Sequence, residues 1–112
     1  MMVETPSAKS QQKQAFLLSH FVYVLQCSNG AFYTGYTTDV AKRIAAHNAG
    51  KGAKYTRAHL PVTLLASWLF SSKVDALRAE HAIKQLSRAQ KVRLIEHVRQ
   101  GSTVLPDWVF HS

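Results

Sequence analysis

FVYVLQCSNGAFYTGY, residues 21–36, is the stretch that decides the fold. Its first six and last five residues are rich in β-branched and aromatic side chains, a composition typical of strands. Between them, Asn29-Gly30 is the strongest short signal for a hairpin turn. We therefore predict two adjacent antiparallel strands. Gly35, inside the second strand, indicates a bulge or a close approach of the backbone to a neighbouring group.

Downstream of the hairpin, the sequence alternates between helix and strand patterns. In order, the pattern predicts a helix over 39–48 capped by Thr38, a basic loop over 51–59, a buried strand over 62–70, and helices opened by Ser72 and by a capping box at Ser87. The order β-β-α-β-α-α predicts an α+β fold, with a small three-stranded, mostly antiparallel sheet flanked by helices.

The chain length of 112 residues suits one hydrophobic core and is too short for two. The first residues are polar, and we predict a mobile N-terminal segment at 1–19. The folded domain is expected at 20–100. A C-terminal tail at 101–112 follows, in which we expect Trp108 to pack against the body of the domain.

The charge balance points to a polyanionic partner. Fourteen Lys and Arg residues face six Asp and Glu residues, for a formal net charge of +8 and a pI near 10.0. A small domain this basic attracts polyanions, and nucleic acid is the commonest one. The same charge also serves solubility alone, so composition favours nucleic acid without establishing it. Because the acids are few and scattered, any metal site is expected to hold a single ion.

Cys27 is the only cysteine, which excludes an intrachain disulfide and a thiolate zinc site and fits a reducing compartment. The apolar stretch at 15–27 loosely resembles a secretory signal. However, Ser19, His20 and Gln26 interrupt it, and no small-x-small cleavage site follows. It is also too short to span a bilayer. We therefore expect a cytoplasmic protein without a membrane partner.

Five residues carry side chains suited to phosphate chemistry. Arg43 and His47 lie four residues apart on one stripe of the predicted first helix, and a guanidinium stabilises charge on a phosphate. Tyr23 and Tyr33 lie on the hairpin strands, where a tyrosine is a poor base unless cations lower its pKa from about 10. Glu80 has apolar neighbours, and an inward carboxylate needs a cationic partner, either a metal ion or an arginine. At the surface it would instead pair with Lys84 at i+4. Each residue alone is more often structural, so their combination carries the functional hypothesis.

These residues make the sequence resemble the GIY-YIG nuclease domain over about residues 20–98. The half-motifs are Phe21-Val22-Tyr23 and Tyr33-Thr34-Gly35, and the later pattern is matched by Thr37, Arg43, His47, Asn48 and Glu80. The short chain, with its basic G-A-K-Y-T-R loop, is similar to the single-domain bacterial branch and to the nuclease domain of endonucleases that cut branched DNA. Phe21 stands in place of a family glycine, and the asparagine that often follows the family's glutamate is absent after Glu80.

The resemblance implies metal-assisted hydrolysis of phosphodiester bonds, with DNA more favoured than RNA. Tyr33 would be the general base or would relay a proton from the attacking water, with Tyr23 supporting it through hydrogen bonds. Arg43 would bind the scissile phosphate, and His47 would contact phosphate or assist proton transfer. Glu80 would hold one Mg²⁺ or Mn²⁺ ion, which stabilises the leaving oxygen.

A basic surface with one aromatic residue suits a nucleic-acid strand and a stacked base. The expected nucleic-acid-binding residues are Lys42, Asn48, Lys51, Lys54, Tyr55 and Arg57. Two functions remain open at this point. One is a metal-dependent endonuclease that cuts branched, flapped or single-stranded DNA in repair or recombination. The other is a non-catalytic nucleic-acid-binding module with the same fold; either function is compatible with a protein partner that supplies targeting. Retention of Tyr33, Arg43 and Glu80 favours the nuclease, since binding alone does not require them.

Overall fold

The computed structural model describes residues 19–111, and most of the predicted N-terminal segment, residues 1–18, lies outside them. In chain order the elements are β1 His20–Gln26, β2 Phe32–Thr37, α1 Val40–Asn48, α2 Lys54–Arg57, β3 Thr63–Phe70, α3 Lys73–Lys84, α4 Arg88–Arg99 and a 3₁₀ turn at Asp107–Phe110. The predicted α+β fold and element order are confirmed. The one-turn helix α2 is an addition, within what the sequence predicts as a loop.

The sheet has the strand order β2-β1-β3, and both pairings are antiparallel. The central strand β1 therefore places Tyr23 opposite Gly35 on one side and Ser67 on the other. The β1–β2 ladder runs in regular register through Gly35, while the pairing with β3 shifts between Val24 and Leu25. Of the two readings of Gly35, the bulge is wrong and the close approach is right.

Alternate residues of β1 point to opposite faces of the sheet. On the face that we call the core face, buried Val22 and Val24 pack with α3 and α4 into the larger apolar cluster. On the other, the site face, buried Tyr23 and Leu25 form a smaller cluster with residues that include Ile44 of α1. The sheet thus separates the main core from the surface on which the tyrosine motif lies.

The helix starts follow their capping side chains. Helix α1 begins one residue later than predicted, because the Asp39 carboxylate, rather than Thr38, accepts the backbone N–H of Lys42 at 3.1 Å. The predicted cap at Ser72 is present, and Ser87 opens α4 with both bonds of a capping box.

The segment after residue 100 folds back onto the domain. Val109 is buried in the main core, Trp108 packs against it, and the guanidinium of Arg93 lies 4.6 Å from the Trp108 ring centroid. The predicted contact of Trp108 with the body is therefore present. Within residues 19–111, no helix has the length and apolar character needed to cross a bilayer.

Candidate functional site

Tyr23 lies on the site face with its ring across Gly35 of the neighbouring strand. A methyl group on Gly35 would sit 2.3 Å from the Tyr23 hydroxyl oxygen, well inside contact distance. Only glycine therefore leaves room for the phenol to cross β2 and reach the residues of α1 beyond it. The two half-motifs therefore depend on each other, because Gly35 of the second leaves the space that the Tyr23 ring of the first occupies.

His47, in the last turn of α1, is fully buried and holds the centre of the site. Its Nε2 lies 3.0 Å from the Tyr23 hydroxyl, and its Nδ1 lies 2.8 Å from the Thr56 hydroxyl. Gly52 lies so close that a methyl group there would come within 2.1 Å of Nδ1. This geometry leaves no ring nitrogen for phosphate, so of the two roles predicted for His47 only the one in proton transfer is compatible with it.

The hydrogen bonds around His47 have a single consistent direction. The one hydroxyl proton of Thr56 is donated to the Ala53 carbonyl at 2.9 Å, so Thr56 accepts from His47 Nδ1–H. Burial, followed by the nearby charge of Arg43, lowers the pKa of His47, which favours the neutral ring. The unprotonated Nε2 then accepts the hydroxyl proton of Tyr23.

Arg43, one turn before His47, completes the chain of contacts. Its Nε–H donates to the Tyr23 hydroxyl oxygen at 3.4 Å, a long bond. Burial raises the pKa of Tyr23; Arg43 lowers it in part, and the charges of Tyr33 and Glu80 raise it further. Tyr23 is therefore a protonated phenol that donates to His47 and accepts from Arg43.

Tyr33 lies beside these hydrogen-bonded side chains but is not bonded to them. Its ring meets the His47 ring edge-on, with centroids 5.4 Å apart, and it is only partly buried. Its hydroxyl makes no hydrogen bond with any residue that the structure describes. It is thus the tyrosine of the pair whose hydroxyl is uncommitted.

Beside Arg43 a cleft of about 370 Å³ opens at the start of α1. It is lined by Thr37, Thr38, Asp39, Lys42, Arg43 and Ala46. Two cations and two hydroxyls against one carboxylate give the cleft a net positive lining suited to a phosphate.

Glu80 projects from α3, and its charge reaches the site, since it raises the pKa of Tyr23. Its carboxylate also lies 3.5 Å from the ammonium of Lys84, so the alternative pairing predicted from the sequence is present. Among residues 19–111, no three His, Cys, Asp or Glu side chains cluster to form a metal site. The residues fit one hard cation held by a single carboxylate, with water and substrate phosphate supplying the other ligands, a mode that Mg²⁺ accepts.

The predicted nucleic-acid-binding residues fall into two groups. The side chains of Lys42, Lys51, Lys54, Tyr55 and Arg57 are exposed. Asn48 is also exposed, but its amide donates to the Val62 carbonyl at 3.2 Å and accepts the Val62 N–H at 2.8 Å. Both ends of the Asn48 amide are used to fasten α1 to the start of β3, which gives this residue a structural task.

Sequence reasoning missed two residues that hold His47, namely Gly52 and Thr56. Both belong to the basic loop predicted at 51–59, in which the sequence pattern pointed to the cations and not to the small residues. The available signal was chemical, since a buried histidine needs a partner on each ring nitrogen and a hydroxyl nearby in sequence can provide one.

Comparison with known proteins matches this chain to one family. A model of the GIY-YIG catalytic domain matches residues 19–93. A UPF0213 protein of Halobacterium salinarum is 63% identical over 75 residues, which cover 67% of this chain and 97% of that protein. A UPF0213 protein of Streptococcus agalactiae is 58% identical over 76 residues, covering 68% and 86%. A solution NMR structure of an E. faecalis protein is 39% identical with a TM-score of 0.54, covering 79% of this chain and 94% of that one.

Proposed function

Since this chain belongs to the GIY-YIG domain family, we propose that it is a metal-dependent endonuclease that hydrolyses phosphodiester bonds in DNA. The observation that carries the proposal is the connected chain Arg43–Tyr23–His47, with Tyr33 packed on its edge. A purely structural sheet does not need a buried imidazole and a guanidinium that share one phenol. We infer further that the substrate is branched, flapped or single-stranded DNA in repair or recombination.

The roles of the side chains follow from their hydrogen bonds. Arg43 donates its Nε–H to Tyr23 and lines the cleft at the start of α1, where it and Lys42 would bind the scissile phosphate. Tyr33, with its uncommitted hydroxyl, orients the attacking water. Positioning and charge stabilisation of this kind supply most of the catalysis in phosphate-ester hydrolysis.

Proton removal needs a group that can pass a proton on. The Tyr23 hydroxyl proton points at an unprotonated His47 Nε2, whereas no acceptor for the Tyr33 proton lies among the described residues. We therefore assign proton uptake to the Tyr23–His47 pair, in which Tyr23 passes its hydroxyl proton to His47 Nε2 and takes one from the attacking water. For Tyr33 we keep the orientation of that water, not the role of terminal base. Glu80 would hold one Mg²⁺ or Mn²⁺, which supplies charge stabilisation at the leaving oxygen.

One observation favours the second candidate, a non-catalytic binding module. Glu80 already has a cationic partner in Lys84, and among residues 19–111 no other acidic or imidazole groups cluster with it to hold a metal. A module of this kind would keep the exposed cations and bind without cutting.

A cleavage panel with matched variants tests the proposal. Labelled duplex, single-strand, flap, splayed-arm and four-way-junction DNA, with RNA counterparts, are incubated with Mg²⁺ or Mn²⁺. Tyr33→Phe and Glu80→Gln should lower the cleavage rate at least about 100-fold. Tyr36→Phe, on the core face of the same strand, and Glu96→Gln, on α4, are the controls and should cut normally. Binding without metal-dependent cutting of any substrate would overturn the nuclease in favour of the module.

A further inference from the structure

The outer surface of α2 carries an exposed aromatic side chain held in a fixed position. Tyr55 is 46% exposed, yet its hydroxyl accepts a hydrogen bond from the Asn29 amide at 3.1 Å. Its ring lies against the His59 ring, with centroids 4.7 Å apart and planes at 43°. An exposed ring with its position fixed in advance loses little conformational entropy on binding a flat partner.

The backbone around Tyr55 is anchored on both sides. The N–H of Ser28, in the hairpin turn, donates to the His59 carbonyl at 2.9 Å. Thr56, the residue after Tyr55, is fully buried and bonded to His47. Helix α2 therefore points Thr56 into the site and Tyr55 outward. The exposed ring thus belongs to the residue next to Thr56, which is hydrogen-bonded to His47.

The charge around this ring has one sign. Residues 40–74 contain six Lys and Arg residues and no Asp or Glu. Lys54 and Arg57 flank the ring in the same helix and are exposed, and Lys51 precedes it. Cations that follow a phosphate backbone, interleaved with an aromatic face, are the means by which proteins bind unpaired nucleotides.

We propose that Tyr55 and His59 form a stacking platform for an unpaired nucleobase, with Lys51, Lys54 and Arg57 along the adjoining phosphates. A base inside a duplex keeps its faces covered by its neighbours, so the platform selects single-stranded or splayed DNA. The proposal rests on the proposed function, whose substrate class it names, but it concerns binding and is measured without cleavage.

Binding in the presence of a chelator tests the platform. Affinities for a short oligothymidine and for a duplex of equal length are measured at fixed salt for wild type, Tyr55→Leu, Tyr55→Trp, His59→Ala and Phe110→Leu. Tyr55→Leu should weaken oligothymidine binding about tenfold and duplex binding much less, and Tyr55→Trp should restore it. His59→Ala should weaken single-strand binding less than Tyr55→Leu does, since it removes only the supporting ring. Phe110, also 46% exposed but in the C-terminal turn, is the control, and its variant should bind as wild type. An oligouridine arm reports whether RNA is stacked equally.

The outcomes separate the two claims. Equal oligothymidine affinity for Tyr55→Leu and wild type, or equal losses on both ligands, overturns the platform even if wild type cuts DNA. A selective loss of single-strand binding supports the platform even if no substrate is cut, in which case the nuclease alone fails. Substituting Lys54 by Ala should weaken both ligands and lower the salt dependence of binding, because it removes one phosphate contact.

Discussion

Along β1, Val22 and Val24 face one side of the sheet while Tyr23 and Leu25 face the other. The polar atoms buried on the two sides are treated differently. On the core face, Thr34 Oγ1, Trp68 Nε1 and Trp108 Nε1 have no partner among the described residues.

On the site face, the buried polar groups of Tyr23, His47 and Thr56 are all hydrogen-bonded. The difference indicates that the core face mainly provides stability and the site face mainly positions hydrogen-bonding groups. Apolar burial supplies stability even though each unpaired donor within it costs free energy, whereas a bonded network specifies where each proton lies.

The largest effect on stability is expected from the core face. Leu94→Ala removes a buried side chain of α4 and should lower the free energy of unfolding by about 2–5 kcal/mol. Cleavage per folded molecule should stay normal, because Leu94 lies in the main core on a helix that carries no site residue. Urea unfolding and cleavage rates measure the two quantities, with exposed Val104→Ala as the control. A loss of specific activity in the folded Leu94 variant would contradict the separation of the two faces.

On the site face, adding one methyl group should have the opposite profile. Gly35→Ala and Gly52→Ala place a methyl group against Tyr23 and His47, so each should cost about 1–3 kcal/mol and lower cleavage about 100-fold. Gly101→Ala is the matched control. Its positive φ of 97° should cost about 1 kcal/mol of stability, with cleavage unaffected because no atom lies near the added methyl group. Equal activity losses in all three variants would mean that destabilisation alone explains them.

Thr56→Val should act on the proton positions more than on the packing. Removing the acceptor of His47 Nδ1–H should cost about 1–2 kcal/mol and lower cleavage about tenfold, and Thr56→Ser should restore both. The ¹⁵N shifts of the His47 ring report the tautomer directly. An unchanged tautomer in the valine variant would show that Thr56 only fills space.

The smallest effect is expected from pH. The pKa of His47 is lowered in the folded state. When the pH falls below the ordinary value of 6.5, the unfolded chain therefore binds a proton on His47 and the folded chain does not. Stability should therefore fall as pH drops through 6.5, and His47→Gln should lose this part of the pH dependence. Unfolding free energies from about pH 7.5 to about pH 5.5 measure it, with exposed His81→Gln as the control. A pH slope retained by the His47 variant would assign the dependence to another group.

The fold could be read from the sequence because its signals are local. Asn29-Gly30 specified the hairpin, and the capping residues Ser72 and Ser87 specified two helix starts. Helix α2 was missed, since four residues without a side-chain cap give no periodic signal.

The site could be predicted only as a set of residue types. That His47 is buried, that Thr56 fixes its tautomer and that Asn48 is bonded to Val62 depend on contacts between segments distant in sequence. Such contacts appear only once the chain is folded. The same limit explains why the sequence left two roles open for His47, phosphate contact and proton transfer, whereas in the folded chain both of its ring nitrogens are hydrogen-bonded.

Two hydrogen bonds between Asn48 and Val62 join the ends of the segment 48–62. The hydrogen bond between Thr56 and His47 holds the middle of this segment against the site. Three anchors therefore fix the inner residues of this stretch, while exposed side chains such as Lys54 and Arg57 make no contact that those anchors require. Replacing the exposed side chains should change the surface that the stretch presents and leave the hydrogen bonds of His47 in place.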